Sequence, residues 1–256
     1  MTPSILYCGD TSLDQAAGYL AGLMTSFGWQ FDYVPSHVAV TRDQIESPRS
    51  LLILSDYPAQ QFDPALQEIV VRQVQQGLGL LMIGGWESYH GLGGNWDSAP
   101  LARSLPVLIA DADDRINFDQ PALLHPADWR SELWGLPWFL RPPTVGGMNR
   151  FQPRPGSEIW LSVTPFAPQY ESATESIRWS SGSVLPALVT GAHGSGRTAA
   201  FASDVAPHWV GGFVDWGADR VTAQAAGAGA IEVGSDYASF WKHLLTWTGR
   251  LDGAIV

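Results

Sequence analysis

The sequence has a single cysteine, Cys8, among 256 residues. One cysteine excludes an intramolecular disulfide, and such sparing use of cysteine is typical of proteins from reducing compartments. No apolar run approaches the roughly 18 residues that a membrane-spanning helix needs. The N-terminal residues also lack the basic and apolar regions of a signal peptide. We therefore expect a cytoplasmic protein that does not insert into a membrane.

Basic residues are scarce, with 14 Lys and Arg against 25 Asp and Glu and a formal net charge of −11. A surface of this charge repels phosphate backbones and anionic lipids, which argues against nucleic acid or a membrane surface as a partner. Solubility alone would also explain the acidity. Hydrophobic residues make up 45% of the chain, which is enough to build a substantial core. The length suits one domain over residues 1–256.

The first third alternates between apolar runs and amphipathic stretches. Helices are predicted from the capping-box pair Ser12 and Gln15 to Gly28, and from Asp63 with Pro64 to Gly77. Strands are predicted at residues 5–8, 31–34, 51–54 and 78–83. Strands joined by crossover helices require a parallel sheet with right-handed connections, so an α/β fold is expected.

The remainder of the chain is less regular. Residues 91–155 are rich in Pro, Gly and Trp, and we expect an elaboration with antiparallel pieces there. Residues 223–230 are small and suggest a mobile loop. Further elements are predicted as a strand at 158–163, a hairpin of 185–189 with 198–202 around the turn 191–196, and a closing helix at 235–249.

Several segments together resemble the class I glutamine amidotransferase-like superfamily, in particular its putative glutamine amidotransferase branch, which is related to the trehalose-utilisation (ThuA-like) proteins. The resemblance implies a flavodoxin-like three-layer sandwich with a mostly parallel central sheet and an irregular antiparallel elaboration. It covers most of the chain and is carried by residues 51–56, 77–86, His125-Pro126, Gly135-Leu136-Pro137, 194–197, 201–209, Phe240-Trp241 and 245–247.

Two motifs of true glutaminases in this superfamily are absent. Such enzymes place a cysteine on a tight turn after a strand, assisted by a His and a Glu two residues apart, because a thiolate needs exposure and a neighbouring base. The corresponding turn here reads Gly84-Gly85-Trp86-Glu87, and the sequence contains no His-x-Glu. Cys8 lies inside the first predicted strand, where it is expected to be a small buried hydrophobe. The sequence therefore predicts the fold without glutamine hydrolysis.

Polar side chains follow several predicted strands, and ligands of open parallel sheets bind at the carboxyl ends of the strands. These side chains could hold a metal or form an acid/base pair. They could instead cap helices or rigidify a corner, and the sequence names neither a metal nor a cofactor. The candidate catalytic residues are Glu87, His90, Asp204 and His208, and the candidate ligand contacts are Asp10, Asp56, Gly84, Gly85, Trp86 and Trp209.

The 12 tryptophans are the last unusual feature. Exposed indole rings stack on sugars or anchor interfaces, but an irregular elaboration also needs large rings to fill its core, and we favour this second interpretation.

Three functions stay open: a non-glutaminase module that binds a small polar metabolite or a protein, an enzyme of carbohydrate or polar-metabolite metabolism, and residual glutaminase activity of Cys8. The resemblance to ThuA-like proteins implies sugar metabolism, and a homo-oligomer is expected from the abundance of Trp.

Overall fold

The computed structural model describes residues 4–128 and 133–251, which form five α-helices and fourteen β-strands. The helices are α1 (Ala17–Ser26), α2 (Arg42–Glu46), α3 (Pro64–Gln76), α4 (Pro207–Val210) and α5 (Ser235–Gly249). The strands are β1 (Ser4–Gly9), β2 (Gln30–Val34), β3 (Leu51–Ser55), β4 (Gly79–Ile83), β5 (Val107–Ile109), β6 (Arg115–Pro126), β7 (Thr144–Asn149), β8 (Phe151–Pro153), β9 (Glu158–Glu171), β10 (Ser176–Ser181), β11 (Leu185–His193), β12 (Gly196–Phe201), β13 (Arg220–Ala223) and β14 (Ile231–Gly234).

A ten-stranded sheet organises the molecule. Its order is β2-β1-β3-β4-β12-β11-β9-β6-β7, with β10 paired to β9. The strands from β2 to β12 are parallel, whereas those from β11 onward are antiparallel. Strands β3 and β4 are buried along their whole length, as expected where helices cover both faces of a parallel sheet. The predicted α/β fold is thus confirmed, and the elaboration contributes β6 and β7 to the main sheet.

Capping residues and hydrophobic patterns in the sequence correctly predicted the positions of several helices and strands. Asp63 caps α3 through its side chain, Pro64 occupies the first turn, and Gly77 ends the helix. The hairpin of β11 and β12 and the closing helix α5 lie where the pattern places them. The proposed capping box of Ser12 and Gln15 is wrong, because these two residues form a turn through their backbones and α1 begins only at Ala17.

Three strands after the irregular region, β10, β13 and β14, were not predicted from the sequence. β9 continues to Glu171, eight residues beyond its predicted end, and pairs there with β10. β13 and β14 form a separate hairpin on either side of the small-residue segment 224–230. No helix formed by the described residues combines the length and apolar content needed to cross a membrane.

The tryptophans mostly fill the core. The described tryptophans of the irregular region form ring clusters, for example Trp138 with Trp216, whose ring centroids are 4.4 Å apart. Trp129 lies outside the described residues. Two of the described tryptophans are exposed instead, Trp86 at 41% and Trp179 at 56%. The structural interpretation of the loop tryptophans is confirmed for Trp96, Trp138, Trp209 and Trp216, all of which are buried.

Candidate functional site

Three carboxylates lie just beyond the carboxyl ends of parallel strands. Asp10 follows β1, Asp56 follows β3, and Asp204 lies shortly after β12. Because these strands belong to one parallel region of the sheet, their ends meet at one edge. A cavity of about 310 Å³ opens there. It is lined by Asp10, Thr11, Ala16, Ser36, Asp56, Trp86, Glu87, Asp204, Ala206 and His208.

Asp10 is held in place by the backbone around it. Its φ of 51° lies in the left-handed region, which costs free energy for a residue with a side chain. Its N–H donates to the Ser55 carbonyl over 2.9 Å, which ties the end of β1 to the end of β3. The Tyr7 hydroxyl donates a short hydrogen bond to Oδ2, and the Tyr33 hydroxyl donates to the Asp10 carbonyl over 3.0 Å. The carboxylate is therefore fixed against the cavity wall.

Asp56 has the same backbone conformation, with a φ of 48°. Its N–H donates to Ser88 Oγ over 3.0 Å, and its Oδ1 accepts the Glu87 N–H. A side chain at Gly85 would bring its Cβ within 2.4 Å of Asp56 Oδ1. Gly85 therefore leaves the space that the Asp56 carboxylate occupies.

Asp204 carries both of the roles considered for it. It is only 5% exposed, and its Oδ1 accepts the N–H groups of Val205 over 2.6 Å and Ala206 over 3.3 Å. The carboxylate thus satisfies loop amides, as the structural interpretation expects. It also lines the cavity together with Asp10 and Asp56.

Burial of so many carboxylates in one place changes their protonation. Burial raises the pKa of Asp10 to about 6, although the hydroxyls of Tyr7 and Ser55 partly oppose the shift. Burial, and secondly the negative charge of Asp10, raise the pKa of Asp56 to about 7, although the hydrogen bond from the Glu87 N–H lowers it in part. Burial raises the pKa of Asp204 well above its usual range, and the charges of Asp10 and Asp56 add to the effect. Near neutral pH the cluster retains protons, so it can donate hydrogen bonds as well as accept them.

Glu87 and His208 complete the polar wall. Glu87 lies on the turn after β4, and partial burial raises the pKa of its carboxyl group. His208 lies in the short helix α4 and is exposed. Its ring centroid is 5.9 Å from that of Trp86. These two groups are the most accessible titratable side chains of the cavity.

The turn after β4 differs from a nucleophile elbow. No helix begins among residues 84–99, whereas an elbow passes directly from strand to helix. Trp86 lies on this turn, with the guanidinium carbon of Arg115 4.5 Å from its ring centroid. The Trp86 ring therefore forms a rim between Arg115 and His208.

The elaboration braces this turn from outside. Asn149 accepts the Gly85 N–H over 2.9 Å and donates to Asp114 Oδ1 over 2.8 Å. Asp114 in turn accepts the backbone N–H groups of His90 and Gly91. The irregular segment thus holds the backbone that presents Trp86 and Glu87.

Four of the predicted site residues lie away from the cavity lining. The ring of His90 faces Asp97, with Nδ1 2.8 Å from Oδ1. Trp209 is buried and donates through Nε1 to Asn117 over 2.7 Å. Gly84 and Gly85 leave room for neighbouring atoms because they have no side chain. A Cβ on Gly84 would come within 2.0 Å of the Ala202 carbonyl oxygen. The structure gives these four residues packing and bracing contacts.

Cys8 lies within β1 and is fully buried. Burial raises the pKa of its thiol far above the usual range, so the thiolate needed for attack does not form. Within residues 4–128 and 133–251, no three His, Cys, Asp or Glu side chains are arranged to hold a metal ion. The titratable side chains that line the cavity are four carboxyl groups and one imidazole.

The sequence did not predict some of the residues that line the cavity, nor most of the residues that hold the turn after β4 in place. Ser36 follows β2 by two residues, and the strand-end rule would have found it. Asn149, Asp114 and Arg115 had no such signal, because they lie in or next to strands β6 and β7 of the irregular region, which the pattern did not resolve.

The structure is thus that of a mixed α/β protein with a carboxyl-lined cavity at the carboxyl edge of its parallel strands, next to the turn after β4. The chain belongs to the GATase1-like family, whose model, described as "Putative glutamine amidotransferase", matches residues 8–223.

Two solved structures share the fold over nearly the whole length. Cytoplasmic protein STM3548 of Salmonella typhimurium is 22% identical, with a TM-score of 0.71 over 95% of this chain and 98% of that one. Cytoplasmic protein STM1381 of Salmonella typhimurium LT2 is also 22% identical, with a TM-score of 0.72 over 96% of this chain and 99% of that one. At this identity the likeness concerns the fold alone. No curated protein matches the sequence.

Proposed function

We propose that this chain is a non-glutaminase module that binds a small, polar, donor-rich molecule in the cavity at the carboxyl edge of the sheet. The observation that carries the proposal is the enclosure of one cavity by Asp10, Asp56, Glu87 and Asp204. A ligand with hydroxyl or amino groups would satisfy these oxygens, because carboxyl groups that lose water need hydrogen-bond partners.

The character of the wall supports this ligand class. None of the cavity-lining residues among those described is Lys or Arg, so an anionic ligand would meet four carboxyl groups and only one imidazole. A volume of about 310 Å³ suits a molecule of metabolite size. The exposed part of Trp86 adds an apolar surface on which the carbon face of such a molecule can lie.

A thermal-shift screen with a metabolite library tests the proposal, because a ligand that prefers the folded state raises apparent stability. Amines and polyols should raise the Tm of the native protein, whereas dicarboxylates of similar size should not. The Glu87→Gln variant should reduce the shift. Glu68→Gln, which alters an exposed carboxylate of α3, serves as the control. Equal shifts in both variants, or a preference for dicarboxylates, would contradict the proposal.

An enzymatic role is the second candidate, and the raised pKa of Glu87 favours it. A carboxyl group whose pKa moves toward neutrality can act as a general acid or base. Glu87 or Asp204 would exchange the proton, with His208 as partner, on a carbohydrate or related metabolite, in line with the resemblance to ThuA-like proteins. Loss of turnover with retained ligand binding in Glu87→Gln would identify catalysis. Unchanged turnover would exclude Glu87 as the acid or base.

The remaining assignments follow from charge and composition. We propose a cytoplasmic location on the basis of the single cysteine, and no nucleic acid or anionic membrane as partner on the basis of the net charge of −11. A protein partner is the alternative ligand of the module.

A further inference from the structure

A two-stranded extension projects from the main sheet. Pro165 is the last residue of β9 that pairs with β6. The following residues, Phe166–Glu171, continue outward and pair with β10. We call residues 166–181 the arm. Strand β9 runs parallel to β12, because each is antiparallel to β11. The arm therefore leaves the sheet at the same edge as the carboxylate cavity.

The two faces of the arm have opposite character. Residues directly opposite each other in an antiparallel pair lie on the same face, and alternate residues along each strand share that face. The pairs Tyr170–Ile177, Pro168–Trp179 and Phe166–Ser181 thus form one face, and Gln169–Arg178, Glu171–Ser176 and Ala167–Ser180 form the other.

The apolar face is open to solvent. Tyr170 is 70% exposed, Ile177 59% and Trp179 56%. On the polar face, by contrast, Arg178 pairs with Glu171 over 2.9 Å and both remain solvated. An isolated two-stranded ribbon is at best marginally stable in water, and a hydrophobic edge strand without Lys or Pro invites pairing. Strand β10 contains neither residue, so the arm has the character of a surface that packs against another protein surface.

We propose that the apolar face of the arm packs against the same face of a second copy of this chain. Tyr170, Ile177 and Trp179 together expose on the order of 400 Å² of apolar side chain. Two facing arms would then contribute about 800 Å², to which Phe166, Pro168 and Ser181 of the same face add. The contact therefore approaches the lower limit of about 1,200 Å² for a specific protein interface.

A twofold arrangement of arms also suits the charges. Packing the two apolar faces together leaves both polar faces in water, so the Glu171–Arg178 ion pair loses no hydration. The contact is isologous, the commonest form of oligomer, and it closes at two copies without building a filament. The cavities of both copies would lie beside the paired arms.

Two double variants test the arm. Tyr170→Ser with Ile177→Ser removes an opposed pair from the apolar face, and Gln169→Ser with Arg178→Ser removes the neighbouring opposed pair from the polar face. Sedimentation velocity over a wide concentration range should show a dimer for the native chain and the polar-face variant. The apolar-face variant should weaken dimerisation by about 100-fold or more. Circular dichroism should show that all three remain folded, as expected for changes outside the core.

Cross-linking locates the contact. Since Cys8 is buried, Ser181→Cys on the apolar face or Ser180→Cys on the polar face would introduce the accessible thiol without removing Tyr170, Ile177 or Trp179. A short bismaleimide should join two Ser181→Cys chains and leave Ser180→Cys chains single. A native chain that stays monomeric, including one that binds phospholipid vesicles through the arm, would overturn the proposal. So would an apolar-face variant that still dimerises normally, or equal cross-linking at both positions.

Discussion

Replacing Asp56 by Asn should stabilise the protein at alkaline pH. The substitution keeps an oxygen that can accept the Glu87 N–H and removes the charge that burial opposes. The pKa of Asp56 rises from 3.8 to about 7 on folding. Its ionised form therefore destabilises the folded state, and the penalty grows as the pH rises from the unfolded toward the folded pKa.

The size of the effect follows from linkage. One pKa unit corresponds to about 1.4 kcal/mol, which sets an upper value near 4 kcal/mol above pH 7. Asp56 keeps part of its surface in the cavity, so solvent reduces this to about 2–4 kcal/mol. For a chain of this length, the corresponding increase in Tm is about 5–10 °C.

Thermal unfolding of the native protein and Asp56→Asn, measured from pH 4 to pH 8.5, checks the prediction. The difference in Tm should be smallest at the acid end, where Asp56 is neutral in the folded state and only about half ionised in the unfolded state, and should grow with pH. Asp111→Asn, which changes an exposed acid, should show no such trend. A Tm difference that is independent of pH, or destabilisation at pH 8, would refute the reasoning.

Three further predictions concern the turn and the cysteine. Gly85→Ala should destabilise the protein by about 2–4 kcal/mol in chemical denaturation, because the added Cβ would meet Asp56. Gly77→Ala is the control: Gly77 also has positive φ, but nothing lies within 4 Å of a Cβ there, so the cost should be only about 1 kcal/mol. Asn149→Ala should cost about 1–3 kcal/mol and weaken ligand-induced thermal shifts, since Gly85 and Asp114 lose a buried partner; unchanged stability would contradict the bracing role. Neither the native protein nor Cys8→Ala should release ammonia from glutamine; activity lost specifically in Cys8→Ala would restore the glutaminase hypothesis.

The regular elements could be predicted because their signals are local. Asp63, Pro64 and Gly77 mark the ends of α3, and each acts through its own backbone or side chain. The edge that collects Asp10, Asp56 and Asp204 was predictable too, because parallel strands always bring their carboxyl ends together. Placing Asp204 there required only that β12 join the sheet beside β4, which it does.

The remainder depended on contacts distant in sequence. His90 sits on the turn after β4, yet its ring faces Asp97 rather than the cavity, and no local pattern reports that orientation. The bracing by Asn149 spans 64 residues to Gly85. The continuation of β9 does alternate between apolar and polar residues, but it contains Pro165 and Pro168, which strand interiors rarely hold, so the sequence pattern gave no indication that the strand continues.

The carboxylate cluster is costly for the free protein, and this cost is itself informative. Asp10 and Asp56 both adopt left-handed backbone, and burial penalises the ionised forms of Asp10, Asp56 and Asp204. Asparagine at these positions would relieve the charge with little change in shape. Strain and unfavourable burial concentrated at the mouth of one cavity are characteristic of binding sites, where the ligand provides the missing partners. The stabilisation expected for Asp56→Asn and the loss of ligand expected from altering the same cavity are therefore two consequences of one arrangement.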